Sequence, residues 1–269
     1  MIPTVTVNTL KNMRKKIISI ANQKGGVGKT TTAINLAASL AAAERRTLLI
    51  DSDPQGNTSS GIGIDRSKIK EKNLYQAVIG NISLQDTLHG TSLPSLTVIP
   101  ATQDLIGVEV EFVNLTDREH RMKHLLSQLP EEYEFIIIDC PPSLGFLTIN
   151  ALVASNSLII PLQCEYFAME GLSQLLNTVH LVQARLNPGL VIGGILLTMF
   201  DTRNRLSHRV EEEVRKYFGS QVFQTIIPRN VRLSESPSHG LPVLLYDVTS
   251  RGAVAYLELA KEILNNGGG

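Results

Sequence analysis

The sequence is short of several things, and each shortage excludes a class of protein. Cysteine is nearly absent: Cys140 and Cys164 are the only two in 269 residues. That is too few for a disulfide framework in a chain of this size, and it points to a reducing compartment, the cytoplasm. Neither sign of charge is in excess, because 25 Lys and Arg balance 25 Asp and Glu. A uniformly basic nucleic-acid binder is thereby excluded, and any contact with DNA falls to a local patch. A membrane span is also missing. The longest uncharged run, 140–164, is broken by Pro141, Pro142, Asn150, Asn156 and Pro161, and reads as the core of a soluble protein. The start of the chain carries Lys11, Arg14, Lys15 and Lys16 with no acid, but it lacks the apolar stretch of roughly 7–15 residues that a signal peptide needs. Residues 1–15 are expected to form a disordered basic arm able to touch DNA, with Met13 as an alternative start. No linker rich in Pro, Gly or Ser and no internal repeat divides the rest, so 16–266 is expected to be one domain.

What is present is 43% apolar residues, ample for a buried core, in alternating strand and helix patterns. Strands are expected at 17–20, 47–50, 96–99, 135–139, 157–161 and 190–198. Helices are expected at 31–43, 103–113, 118–129 (capped by Thr116 or Asp117), 170–186 and 252–264. Phe135-Ile136-Ile137-Ile138-Asp139 is a continuous apolar run ending on an acid, as a buried central strand of a parallel sheet reads. The alternation predicts an α/β fold: a doubly wound, mostly parallel sheet flanked by helices. Residues 58–95 carry no chemistry that the sequence names, and Cys140 and Cys164 read as buried thiols at strand ends.

The first strand breaks into Asn22-Gln23-Lys24-Gly25-Gly26-Val27-Gly28-Lys29-Thr30-Thr31. Gly25, Gly26 and Gly28 lack Cβ atoms, so the backbone is free to turn successive N–H groups, those of Val27 and Thr31 included, toward a polyphosphate. The helix that follows adds its positive end. Lys29 is placed to reach the β and γ phosphates and the Thr30 hydroxyl to hold Mg²⁺ directly, which predicts binding of a nucleoside triphosphate. The common phosphate loop has a glycine where Gln23 stands. Asp51, Asp53 and Asp139 end or follow apolar strands, where α/β folds place their ligands.

Lys-Gly-Gly-Val-Gly-Lys-Thr (24–30) resembles the deviant Walker A loop, KGGxGK[ST], of the ParA/MinD group of ATPases. Asp-Ser-Asp-Pro-Gln-Gly (51–56) and Asp-Cys-Pro-Pro (139–142) resemble the group's two switches. The likeness runs from Lys16 to Leu264 and fits the Soj/ParA branch. It implies a P-loop NTPase fold using ATP and Mg²⁺, with Lys24, Lys29 and Asp53 in catalytic roles. Lys24 would reach across a homodimer interface to the partner's nucleotide, Asp53 would position the attacking water, and Asp51 and Asp139 would support the metal through water. Ile226-Ile227-Pro228-Arg229-Asn230-Val231-Arg232, expected to follow a short strand, would lie against the adenine, with Pro228 packing on the base and Asn230 hydrogen-bonding it.

Between residues 201 and 251, eight Lys and Arg face six acids, but Glu211, Glu212 and Glu213 cluster. Arg203, Arg205, Arg229, Arg232 and Arg251 are then left on expected loops, free to meet phosphates. By resemblance Arg203 and Arg232, with Arg205 and Arg251 beside them, would bind double-stranded DNA without sequence preference. The implied reading is a cytoplasmic, nucleoid-associated partitioning ATPase that dimerises on ATP and is stimulated by a ParB-type partner. A MinD-like membrane-positioning ATPase is the alternative, disfavoured because the polar side of the last helix, Glu258, Lys261 and Glu262, is net negative.

Overall fold

The structure is a computed structural model that describes residues 15–166 and 168–266. The basic arm expected over residues 1–15 lies, apart from Lys15, outside them. The chain begins with β1 (Lys16–Ile20), α1 (Lys29–Ala42), β2 (Thr47–Asp51) and the short α2 (Asn57–Gly61) and α3 (Leu74–Val78). It continues through β3 (His89–Gly90), β4 (Leu96–Ile99), α4 (Gly107–Glu111), α5 (Arg121–Ser127), β5 (Phe135–Asp139) and α6 (Phe146–Ala154). The remainder is β6 (Ser157–Gln163), α7 (Ala168–Arg185), β7 (Val191–Thr198), α8 (Arg205–Phe218), α9 (Val231–Glu235), α10 (Val243–Tyr246) and α11 (Arg251–Asn266).

The strands form one seven-stranded sheet in the order β3-β4-β2-β5-β1-β6-β7, parallel except where β3 meets β4. This is the expected doubly wound sheet. Its centre follows from sequence: every residue of β2 and β5 is buried, as a strand covered by helices on both faces requires. The register matters most for the site. Ile20 and Asp51 each pair with Asp139, so β1, β5 and β2 end level with one another. The three segments that follow them leave the sheet side by side at its carboxyl edge, the place where open α/β sheets bind ligands.

One face of the sheet is covered by α1 and α11. Ala33, Leu36, Ala37 and Leu40 pack against Tyr256, Leu259 and Ile263. Small residues at helical spacing let α1 sit close to both sheet and helix. The other face carries α5, α6 and α7, with Leu126, Ala151, Leu152, Leu172, Leu175 and Val179 in its core. The buried face of α11 includes Leu259, whereas Leu257 is only partly covered. Among the described residues no helix is long and apolar enough to cross a membrane.

Three expectations need correction. The helices expected over 103–113 and 118–129 each open as a short 3-10 turn, Gln103–Ile106 and Arg118–His120, and only then become α4 and α5. Asp117 does not cap with its side chain. It sits at φ 61°, and its carboxylate meets His120 instead. The strand expected before Ile226 is reduced to isolated bridges, Ile195 with Val222 and Phe200 with Pro228, because the chain runs beside β7 without keeping register.

Buried polar groups bind α1 to its surroundings. Thr32 Oγ1 meets the Tyr256 hydroxyl at 3.1 Å, and Asn35 Oδ1 accepts from the buried Val243 N–H at 2.7 Å while its amide donates to the Thr31 carbonyl. Removing the acceptor leaves an N–H unpaired in a dry site, at a cost of about 1–3 kcal/mol. Asn35→Ala is therefore expected to lose about that much in urea unfolding. A loss under about 0.5 kcal/mol would mean that α10 does not depend on this bond.

Candidate functional site

The loop between β1 and α1 takes the shape its glycines permit. Gly26 and Gly28 stand at φ 74° and 88°, left-handed values that cost other residues strain. Gly28 ends the loop at the start of α1 with no side-chain cap, so the first amides of a 14-residue helix are left for a ligand. Two side chains outside the loop hold it. Asn22, buried, donates to the Pro161 carbonyl at 2.7 Å and accepts from the Lys24 N–H at 3.0 Å. Thr198, at the end of β7, donates to the Val27 carbonyl at 2.8 Å. Lys29 is buried, which lowers its ammonium pKa, and its Nζ donates to the Lys24 carbonyl at 3.0 Å. Lys24 Nζ pairs with the Glu165 carboxylate just before α7.

Beside the loop stand the two carboxylates that the register brought together. Burial pushes Asp139 up to about 7, with the neighbouring Asp51 charge adding to the effect. Asp51 is raised to about 6, again chiefly by burial. Asp139 Oδ2 accepts from Thr30 Oγ1 at 2.8 Å and Thr58 Oγ1 at 2.6 Å. Asp139 Oδ1 is buried with no hydrogen-bond partner. A buried carboxylate oxygen left unpaired is costly, and one beside a threonine hydroxyl is what a hard divalent cation takes as its ligand set. The residues present therefore fit Mg²⁺, held by Thr30 and on the Asp139 side.

Asp51 behaves differently. Its oxygens accept from Ser59 N and Oγ, at 2.8 and 2.6 Å, and from Asp53 N at 3.2 Å, so it folds the segment after β2 around itself. Asp53 is buried at the rim of this turn and accepts from the Gln55 N–H at 2.9 Å. Thr58 and Ser59 fall in the stretch from which the sequence reading named no chemistry, yet they hold both carboxylates. A hydroxyl pair one turn beyond Gly56 was the available signal.

A cleft of about 330 Å³ lies against Gly28 and Thr31, walled opposite by Pro228, Arg229 and Asn230 and floored by Tyr256. The structure thus brings the two expected base-contacting residues to the phosphate loop. Asn230 also caps α9 by accepting from the Arg232 N–H at 2.9 Å. Met199 enters the same cleft at φ 51°, a backbone conformation that is strained for a side-chain-bearing residue and typical of functional sites.

The arginines are divided. Arg203, Arg229 and Arg251 line a second cleft of about 420 Å³ that shares the Pro228–Asn230 wall. Arg205 and Arg232 do not line it. Arg205, Arg232 and Arg251 lie in α8, α9 and α11 rather than on loops. Arg203 is clamped by Asp201, whose carboxyl its hydrogen bonds hold down to about 2. Arg232 is shared between Glu235 at 2.9 Å and Asp247 at 3.2 Å and lies over the Tyr246 ring. Arg229, expected among the loop arginines free to meet phosphates though not among those the resemblance assigned to DNA, lines the same cleft as Arg203 and Arg251.

Because the folded state raises the Asp139 pKa, it binds more protons than the unfolded chain between the ordinary carboxyl pKa, about 4, and about 7. Stability falls as pH rises through that window. Asp139→Asn carries no charge to bury, so in metal-free buffer it is expected to melt several degrees above the parent at pH 8. The gap should close toward pH 5, and only the parent should gain stability from ATP with Mg²⁺. Equal melting temperatures at pH 8 would show that the carboxylate is not under strain.

Comparison with known proteins shows the family and the fold. The AAA domain family matches residues 15–192. The chromosome partitioning protein ParA of Myxococcus xanthus is 59% identical over 93% of this chain and 88% of its own length. The sporulation initiation inhibitor protein Soj of Bacillus subtilis is 57% identical over 94% and 99%. Among solved structures, cobyrinic acid a,c-diamide synthase of Mycobacterium smegmatis with bound ADP and magnesium aligns with a TM-score of 0.82 at 36% identity, over 93% of this chain and 94% of that one. With relatives this similar along nearly its whole length, the chain belongs to the ParA/Soj family of chromosome-partitioning P-loop ATPases.

Proposed function

We propose that residues 16–266 act as one ATP-dependent DNA-partitioning ATPase domain, cytoplasmic and nucleoid-associated. Its ATP-bound homodimer holds double-stranded DNA without sequence preference and is released when a ParB-type partner stimulates hydrolysis. The observation that carries this reading is the common wall at Pro228–Asn230. On one side it faces Gly28 and Thr31, and on the other it faces Arg203 and Arg251, so a nucleotide pocket and a basic surface are built from the same three residues.

In this reading the phosphates lie on the 24–31 loop, with Lys29 neutralising the β and γ groups and Lys24 serving the partner's nucleotide. Mg²⁺ supplies charge neutralisation between the phosphates. Thr30 and Asp139 hold its side of the site, and Asp53 orients water. Pro228 and Asn230 contact the base. Arg203 and Arg232, supported by Arg205 and Arg251, meet DNA phosphates, and dimerisation doubles a weak patch into a switchable one. The membrane-positioning alternative is opposed by α11, where Glu262 accepts from the Gln224 and Thr225 N–H groups at 2.8 and 3.0 Å. That ties the polar side of the helix to the body.

Two measurements test the proposal. ATP-loaded protein is expected to bind random duplex DNA at low salt, ADP-loaded protein to bind far more weakly, and Arg232→Ala to reduce the slope of log affinity against log salt by about one per subunit. Absence of binding with ATP at low salt would overturn the partitioning reading. Lys24→Ala is expected to keep ATP binding within about three-fold and to abolish ATP-driven dimerisation, read by light scattering. Equal loss of both would return Lys24 to its own subunit's site.

A further inference from the structure

We propose that Glu165 is a positioning residue that latches Lys24 in the free subunit and must let go before two subunits close. The inference rests on the reading that Lys24 serves the partner's nucleotide. Its basis is the ion pair between Lys24 Nζ and Glu165 Oε2, which joins the phosphate loop to the entry of α7 across 141 residues of sequence.

The two backbones are fixed, so the pair is a switch of side chains alone. Asn22 bonds both the Lys24 N–H and the Pro161 carbonyl, fastening the start of the loop to β6. Glu165 is held by its N–H on the Gln163 carbonyl at 2.8 Å and by its own carbonyl, which accepts from Ala168 N at 3.0 Å. The Lys24 carbonyl is occupied as well, by Lys29 Nζ at 3.0 Å. With the pair made, the Lys24 ammonium is held on the Glu165 carboxylate, just before α7. ATP in the same subunit then meets Lys29 alone, and only a second, strongly anionic group arriving from outside competes for Lys24. The latch separates ATP binding in one subunit from closure of two.

The strength of the pair suits that role. The side chains are 40% and 44% exposed, and ion pairs with this much solvent are weak, on the order of a few-fold in an equilibrium. Such a latch is opened by a triphosphate without trapping the subunit. Each closure opens two latches, so their effects multiply.

Glu165→Gln keeps the size of the side chain and removes its charge. It is expected to tighten ATP-driven dimerisation by about three- to five-fold per subunit, or about ten- to twenty-five-fold per dimer, measured by sedimentation in ATP and Mg²⁺. A second readout needs no dimer. In nucleotide-free protein, Lys24 of the Gln variant is expected to react several-fold faster with an amine-selective acylating reagent, quantified by peptide mass spectrometry against Lys15 as internal control. Unchanged or weaker dimerisation of the variant, in a parent whose dimerisation requires Lys24, would overturn the latch while leaving the shared-site reading intact. Unchanged Lys24 reactivity would overturn it as well. If the parent does not dimerise with ATP, or if Lys24→Ala dimerises like the parent, the shared-site reading fails and takes the latch with it.

Discussion

Two carboxylates buried beside each other at the edge of a sheet are the constraint on which the rest of this structure depends. Asp51 and Asp139 are register partners on adjacent parallel strands, and both are fully buried. Burying one charge without compensation is expensive, and a like charge alongside makes it more so. The chain resolves the difficulty in two ways. Asp51 is satisfied by the Asp53–Ser59 segment, which folds around it. Asp139 is satisfied on one oxygen only, by Thr30 and Thr58. The other oxygen is left without a protein partner. That asymmetry separates a carboxylate that shapes a loop from one that keeps an oxygen without a hydrogen-bond partner.

Thr30 and Thr58 connect this charge to the phosphate loop and to the segment after β2. Thr30 belongs to the first turn of α1, directly after the phosphate loop, and Thr58 to α2, directly after the Asp53 turn. Both hydroxyls meet on one oxygen atom. A ligand that changes the charge or position of Asp139 therefore bears on both segments at once, because there is no apolar layer between them to absorb the change. Stability at this edge is given up for function, in the way buried acids at working sites commonly are.

The far wall of the nucleotide cleft extends the same logic outward. The 227–229 segment is bonded to β7 and the residues after it: Ile227 N donates to the Leu197 carbonyl, Phe200 N to the Ile227 carbonyl and Arg229 N to the Phe200 carbonyl. Met199, at φ 51°, lines the first cleft between Thr198, which bonds the Val27 carbonyl of the phosphate loop, and Phe200, which lines the second. Of the arginines in the second cleft, Arg229 thus sits on backbone that also lines the first, while Asp201 shares the charge of Arg203.

The sheet, the phosphate loop and the acids at its edge are legible in the order of residues alone. Hydrophobic runs such as Phe135–Ile138 have no alternative to burial, and glycines at 26 and 28 permit dihedrals that other residues resist. That order also carries the departure at Lys24, from which the family resemblance follows. Pairing between distant segments emerges only in the folded chain. Thr58 and Ser59 look like ordinary turn residues until the register sets Asp51 level with Asp139. Arg229 comes beside Arg203 and Arg251, and Arg232 meets Asp247, only in the folded chain, whereas the Arg232–Glu235 pair is local to α9. Glu165 meets Lys24 because Asn22 fastens the loop to β6. Local patterns are written in spacing along the chain, whereas charge compensation depends on which ends of which strands finish side by side, and no periodicity encodes that.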